Sequence, residues 1–262
     1  MEYVVIFLLC FCSSVMGAIC GIGGGVIIKP VLDATGILAV TTVSFLSGCT
    51  VLSMSVVSMY RNMRVRRSFE FDRQFATVIA MGGVVGGLTG KWMYDCVLAQ
   101  MTDMNRVGSI QAAVILVMTL GTLLYTVRKD KIRTWHLANR PVIFLVGILL
   151  GILSSFLGIG GGPINLAVLL YLFSMESKQA AMYSIYIIMF SQTASLIRTL
   201  VLKNVPPFEL PVLLLMIACG ILGGLVGSRI NQKIDDRIED RLFMGLLAVI
   251  VCINIFNIYR YL

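Results

Sequence analysis

Charged residues are scarce in this 262-residue chain, at 13% against 58% hydrophobic, and that shortage excludes an ordinary soluble domain. Histidine occurs once, as His136 beside Trp135 in a basic stretch. No HExxH, no Ser/His/Asp set and no carboxylate pair lies within the apolar runs, so neither metalloenzyme nor hydrolase chemistry has residues to use. The run ending Gly90-Lys91 lacks the spaced first glycine and the Ser/Thr of a Walker loop, and Gly21 to Gly25 does not satisfy GxGxxG. ATP-driven pumping is therefore not expected, and coupling falls to an ion gradient or to the substrate's own gradient. The seven cysteines, at 10, 12, 20, 49, 96, 219 and 252, form no CxxC and no Cys/His metal spacing. They read as small buried residues, with Cys20 the one to watch as a pore-lining thiol because it adjoins a glycine cluster.

What the sequence does contain is a series of apolar runs of about 20 residues, the length that crosses a ~30 Å hydrocarbon layer as helix. The net charge of +8 reads as topology signal in the loops, not as a polyanion-binding surface. The N-terminal stretch Met1 to Ala18 imitates a signal peptide but carries Glu2 where a basic residue belongs, and is expected to stay as a membrane segment.

Two of the runs are interrupted by the same five residues, Gly21-Ile22-Gly23-Gly24-Gly25 and Gly158-Ile159-Gly160-Gly161-Gly162. Each glycine costs about 1 kcal/mol relative to Ala in a helix, so three in succession favour an opened backbone. Sliding the chain against itself by 137 residues aligns these pentapeptides and, without a gap, Ser47 with Ser184, Ser58 with Ser195, Arg61 with Arg198, Phe71 with Phe208, Gly86, Gly87 and Gly90 with Gly223, Gly224 and Gly227, and Asp103 with Asp240. The chain is expected to be a duplication. Residues 1–127 form a first transmembrane repeat, 128–141 a basic cytoplasmic linker and 142–262 a second repeat.

The apolar pieces are Tyr3 to Cys20, Val26 to Leu32, Ile37 to Tyr60, Gln74 to Tyr94 and Val107 to Val127, then Val142 to Leu157, Pro163 to Met175, Gln179 to Leu202, Phe208 to Ser228 and Leu242 to Tyr259. Two topologies compete. If the segment before each break crosses fully, there are eight spans and parallel repeats. If it folds back with the short piece as a re-entrant hairpin, each unit crosses three times and the repeats are inverted. The inverted arrangement puts the loops holding Arg61 to Arg73, Arg128 to Arg140 and Arg229 to Arg241 on one face with Lys178, as positive-inside topology favours, and sends both termini outward. The expected fold is thus an all-α polytopic membrane protein of two inverted homologous repeats, each a glycine-broken re-entrant segment plus three transmembrane helices. The glycines at 82, 83, 86, 87 and 90, echoed at 220, 223, 224 and 227, are read as packing surfaces that hold the third span of each unit against the broken segment.

For a substrate, bare backbone amides and the positive N-terminal end of the following short helix favour an anion. The expected binding residues are Gly21, Gly23, Gly24, Gly25, Gly158, Gly160, Gly161 and Gly162, with Asn165 in the first turn after Pro163. Ser47, Thr50, Ser184 and Gln192 on the next helix of each half join them, and Gln192 is the strongest single polar candidate. Arg61 and Arg198, at the ends of those helices, are candidate gates for opposite mouths. Lys29, Asp33 and Glu176 flank the short pieces and Lys91 ends the third span; they are candidates for proton coupling, but solvated positions are the expectation.

The segments from Gly17 to Gly25 and from Ser155 to Pro163 resemble the sulfite exporter TauE/SafE family, also called the 4-toluene sulfonate uptake permease family, over essentially the whole length. The resemblance implies a bacterial or archaeal inner-membrane carrier for sulfite, thiosulfate, sulfonates or related sulfur oxyanions, often an exporter. It leaves the cargo open, and Val26 in place of the proline at 163 makes the two half-sites unequal. The expected partners are that anion or organosulfonate and membrane lipid. No nucleic acid, cofactor, metal or catalytic role is expected, a homodimer is left open, and a passive small-anion channel is the alternative function.

Overall fold

The computed structural model describes residues 2–65, 72–101 and 104–261; Arg66, Arg67, Phe71 and Asp103, which enter the sequence reading, lie outside them. The described residues are helical, without strands. In chain order the helices are α1 (Glu2–Ile19), α2 (Gly25–Thr35), α3 (Val40–Val65), α4 (Arg73–Gln100), α5 (Met104–Arg128), α6 (Arg140–Leu157), α7 (Pro163–Phe173), α8 (Ser177–Val201), α9 (Leu210–Asn231) and α10 (Asp236–Tyr261). Ser177 and Leu210, which start α8 and α9, are the residues that the 137-residue offset pairs with Val40 and Arg73, the starts of α3 and α4.

Six of the described helices, α3, α5, α6, α8, α9 and α10, are long and apolar enough to cross a membrane. The longest helix, α4, is not among them, since its glycines and the charges Arg73, Lys91 and Asp95 dilute its apolar character. Its start is fixed instead by a cap, with the Asp72 carboxylate accepting from the amides of Gln74 at 2.8 Å and Phe75 at 3.1 Å.

The glycine faces do what their spacing predicts, but between halves. α4 lies along α6, where a Cβ on Gly82, Gly86 or Gly90 would overlap the carbonyl oxygens of Phe144, Ile148 and Ile152. Likewise α9 lies along α1, with Gly223 against Ser14 and Gly227 against the Val15 carbonyl. The opposite faces of the same two helices receive α8 and α3: Gly87 meets Ser191, and Gly224 meets Met54. Each broken segment is therefore clasped by the other half of the chain, at backbone separations that only glycine allows.

Polar contacts mark two ends of the bundle. At one, the Tyr3 hydroxyl at the start of α1 donates to Glu209 at 2.9 Å, and Thr42 near the start of α3 donates to the Pro207 carbonyl at 3.0 Å. The end of α2 is there too, since Arg260 near the end of α10 donates to the carbonyls of Asp33 and Ala34. At the other end, the Asp72 amide donates to the Tyr183 hydroxyl, Arg140 at the start of α6 donates to Gln74, and the Trp135 amide donates to the Tyr171 carbonyl in the last turn of α7. Lys129 pairs there with Asp240, as Lys178 does with Asp236.

Candidate functional site

The two glycine breaks meet in the middle of the bundle. A Cβ on Gly25 would run into the Ile159 carbonyl, and one on Gly23 would lie 3.3 Å from the Gly160 carbonyl. The turns begin identically: φ is +68° at Gly21 and +66° at Gly158, then +75° at both Gly23 and Gly160, values that side chains rarely adopt. They then diverge. Gly24 is already in the right-handed helical region at φ −61°, whereas Gly161 and Gly162 stay left-handed at +111° and +68°. Proline explains this, because Pro163 disfavours the helical region for the residue before it, while Val26 imposes nothing and lets α2 start one residue earlier. The two glycine segments thus differ in backbone at the position where Val26 stands in one and Pro163 in the other, with the longer open stretch in the second.

Each break faces a helix of the other half. Gly21 lies against Ala181 and Gly158 against Ser44, while Val51 and Ile188 wedge against Gly160 and Gly23. Ser47 sits between Ser44 and Val51 on that face of α3, and Ser184 between Ala181 and Ile188 on α8, at helical spacing. Both serines are fully buried, and their hydroxyls have no partner among the described residues. Asn165 is fully buried beside Gly161, and neither its side-chain amide nitrogen nor its side-chain carbonyl oxygen finds a partner among them. Thr50 differs: its hydroxyl donates to the Leu46 carbonyl at 2.8 Å, and the residue packs on Gly220 of α9, away from the breaks. Cys20 is buried in the core.

One cavity reaches the second break. A small chamber of about 30 Å³ is lined by Ser44, Gly48, Lys91, Tyr94, Ser155, Gly158, Gln192 and Ser195 with Phe45, Phe156, Leu196 and Thr199. Its lining residues Phe45, Lys91, Tyr94 and Thr199 are shared with a wider vestibule of about 460 Å³ that continues to Asp95, Leu98 and the Asn204–Pro207 strap. Gln192 is held there by its amide, which donates to the Ser154 hydroxyl at 3.3 Å and carbonyl at 3.4 Å. Lys91 stands over the Tyr94 ring at 4.5 Å and 3.4 Å from Asp95, which also holds Arg198 at 3.7 Å. Arg61, at the opposite end, has a buried Nε without a hydrogen-bond partner among the described residues, and the offset pairs Asp95 with Gln232.

The matching place in the first half is filled. Phe45, Gly48 and Leu196 of the chamber correspond by the offset to Met182, Ile185 and Met59, and these three form a buried apolar cluster of their own, backed by Tyr186 and Met189. The chain is open beside one break and plugged beside the other.

The sequence reading did not include Lys91, Tyr94, Phe45, Gly48 or Ser155 among the site residues. Lys91 carried a signal, a cation on a glycine-faced helix with Ser228 at its repeat position, whereas nothing local distinguishes Gly48 from a packing glycine. Lys29 and Asp33 correct the expectation of solvated positions: they are 0% and 7% exposed, because α2 is enclosed by α1, α3 and α10. Lys91, at 16%, is largely enclosed too, while Glu176 is exposed.

A polar chamber reached through apolar helices, with unsatisfied donors at breaks in the main chain, defines a polytopic membrane transporter. The model of the sulfite exporter TauE/SafE family matches residues 6–254, so the chain belongs to that family and is a multi-pass protein of the cell membrane. No curated protein and no solved structure matches it.

Proposed function

We propose that this chain is a secondary carrier, acting as an exporter, for a small sulfur-containing anion of the sulfite, thiosulfate or organosulfonate type. In this reading α1–α2 and α6–α7 are re-entrant hairpins entering from opposite faces, α3, α4, α5, α8, α9 and α10 cross, and the repeats are inverted. Support comes from the ends described above: the start of α1 and the end of α2 share one end of the bundle, and the start of α6 and the end of α7 share the other. The basic residues Arg61, Arg140, Arg229 and Lys178 cluster at the second end, which positive-inside topology makes cytoplasmic, so the vestibule opens outward.

The observation that carries the proposal is the inequality of the two related places, chamber on one side and Met59–Met182–Ile185 plug on the other. A carrier needs one mouth shut while the other is open, and two near-copies that exchange roles supply this without a separate gate domain. The vestibule is the exit, where Lys91 offsets the anion's charge, and Gln192, Ser44, Ser155 and the backbone at Gly158 stand in for its water before release. Reaching Ser47 and Asn165 requires rearrangement of the breaks, which brings the anion to groups that have no other partner. The chamber as it stands has about one water's volume, so it widens to receive a sulfur oxyanion head, and the apolar vestibule walls at Phe45, Leu98, Val205 and Pro206 leave room for a short organic tail.

Flux of radiolabelled sulfite or thiosulfate in proteoliposomes tests the reading. Saturable movement accelerated by anion on the opposite side is expected; rates far above carrier turnover without such acceleration make the protein a channel, and no flux under any imposed gradient overturns transport altogether.

A further inference from the structure

Buried within α2, one helical turn beyond the first break, lies an ion pair that the anion route does not use. Lys29 Nζ stands 2.9 Å from Asp33 Oδ2, with the two side chains 0% and 7% exposed. Packing does not demand it. The matched positions of α7 are Leu166 and Leu170, both buried, so the duplicated architecture accepts apolar side chains at this place. A charge pair kept where hydrocarbon suffices, inside a membrane-embedded helix, is a feature with a function to explain.

The surroundings of Asp33 define which function. Its Oδ1 is covered and has no hydrogen-bond partner among the described residues. The residue lines a cavity of about 440 Å³ with Gly36, Asn105, Arg260 and Tyr261, at the same end of the bundle as the anion vestibule, so water stands beside the carboxylate while Oδ1 itself stays covered. Arg260 on α10 directs its guanidinium to the carbonyls of Asp33 and Ala34, and Asn257 donates to the Pro30 carbonyl at 2.8 Å. The phenols of Tyr261 and, from α4, Tyr94 lie within electrostatic reach. From α1 the thiol of Cys10 joins Ile28 and Leu32 in one buried cluster, and the stretch of α3 that adds Val43 and Leu46 to that cluster and sets Val51 against Gly25 carries one titratable side chain, Cys49.

We propose that Asp33 binds the proton that couples anion movement to the pH gradient. The step is a simple, reversible protonation: the carboxylate exchanges H⁺ with the water of the outer cavity once Oδ1 is uncovered, becomes a neutral acid when protonated, and then leaves the Lys29 ammonium without its counter-charge. Lys29 lies about 6 Å along the helix axis from Gly25. Its uncompensated charge then favours an anion at the breaks, so proton and anion cross together, and export runs when the outward anion gradient exceeds the inward proton gradient. The inference rests on the carrier reading above.

The test uses the full chain in proteoliposomes with labelled sulfite in mildly alkaline buffer, protein-free vesicles being subtracted. Two quantities are read, sulfite self-exchange at equal pH and net sulfite flux driven by a pH gradient. The wild-type protein is expected to show both. Asp33→Asn is expected to retain self-exchange and to lose gradient-driven net flux down to the protein-free level. The double variant Lys29→Leu with Asp33→Leu, which copies α7, is also expected to lose gradient-driven net flux, and monodispersity in detergent shows that each variant is folded. Net flux still driven by the gradient in Asp33→Asn overturns the assignment. A wild-type protein that exchanges sulfite but ignores the gradient overturns proton coupling and leaves the carrier standing, whereas absence of any sulfite movement overturns the carrier reading and this inference with it.

Discussion

Gly25 and Ile159 belong to different halves of the chain, yet the Ile159 carbonyl occupies the space that any side chain at position 25 would need. The contact is backbone to backbone, and a Cβ there would also come within 2.7 Å of the Val51 side chain. Gly25→Ala is therefore expected to push the breaks apart at a cost of about 1–3 kcal/mol and to abolish sulfite flux. Gly245→Ala is the control, since nothing lies within 4 Å of a Cβ there and the change relieves a helix of a glycine worth about 1 kcal/mol. Thermal denaturation in detergent and vesicle flux read the two effects separately. An unchanged melting temperature and wild-type flux in Gly25→Ala sink the claim.

Asn165 offers a test in which stability and function move apart. Its amide is buried without any partner, a condition that costs about 1–3 kcal/mol per group in a structural residue. Asn165→Leu is expected to leave the melting temperature equal or higher while sulfite flux falls. A large loss of stability in this variant would instead make the side chain part of the packing.

Lys91 is the cation of the chamber, and Asp95 competes with the substrate for it. Lys91→Met is expected to raise the half-saturating sulfite concentration about tenfold, equivalent to ~1.4 kcal/mol, with a smaller change in maximal rate. Concentration series in proteoliposomes decide the matter, and an unaltered half-saturation point removes Lys91 from the site.

Ile185 closes the place that Gly48 leaves open in the other half. Ile185→Ala is expected to cost about 2–5 kcal/mol through the cavity it makes and to thin the plug between Met59 and Met182. The measurable result is leak: sulfite efflux that no longer depends on anion at the opposite face. Tight, exchange-dependent flux in this variant places the closed mouth elsewhere.

Much of this architecture is legible in the residues. The pentapeptides declare where helices stop, since repeated glycines and Pro163 act on the local backbone alone, and the left-handed turns at Gly21 and Gly158 follow. The periodic glycines of α4 and α9 announce close packing but not its partner. A missing side chain leaves no mark of what fills its space, so clasping between halves emerged only in three dimensions. Lys29 and Asp33 illustrate the same limit: a short helix with two charges reads as solvated until the helices enclosing it are known.

By itself the amino-acid order determined an all-helical, bilayer-spanning chain broken by glycines at two matching places, because hydropathy, helical period and glycine's freedom are local properties. Tertiary structure alone decided that each opening faces the other unit, that Lys91, Tyr94 and Gln192 share a chamber, and that Met59, Met182 and Ile185 fill its counterpart. Those outcomes depend on which surfaces approach closely enough to exclude water, and that is a property of pairs of helices far apart in the chain.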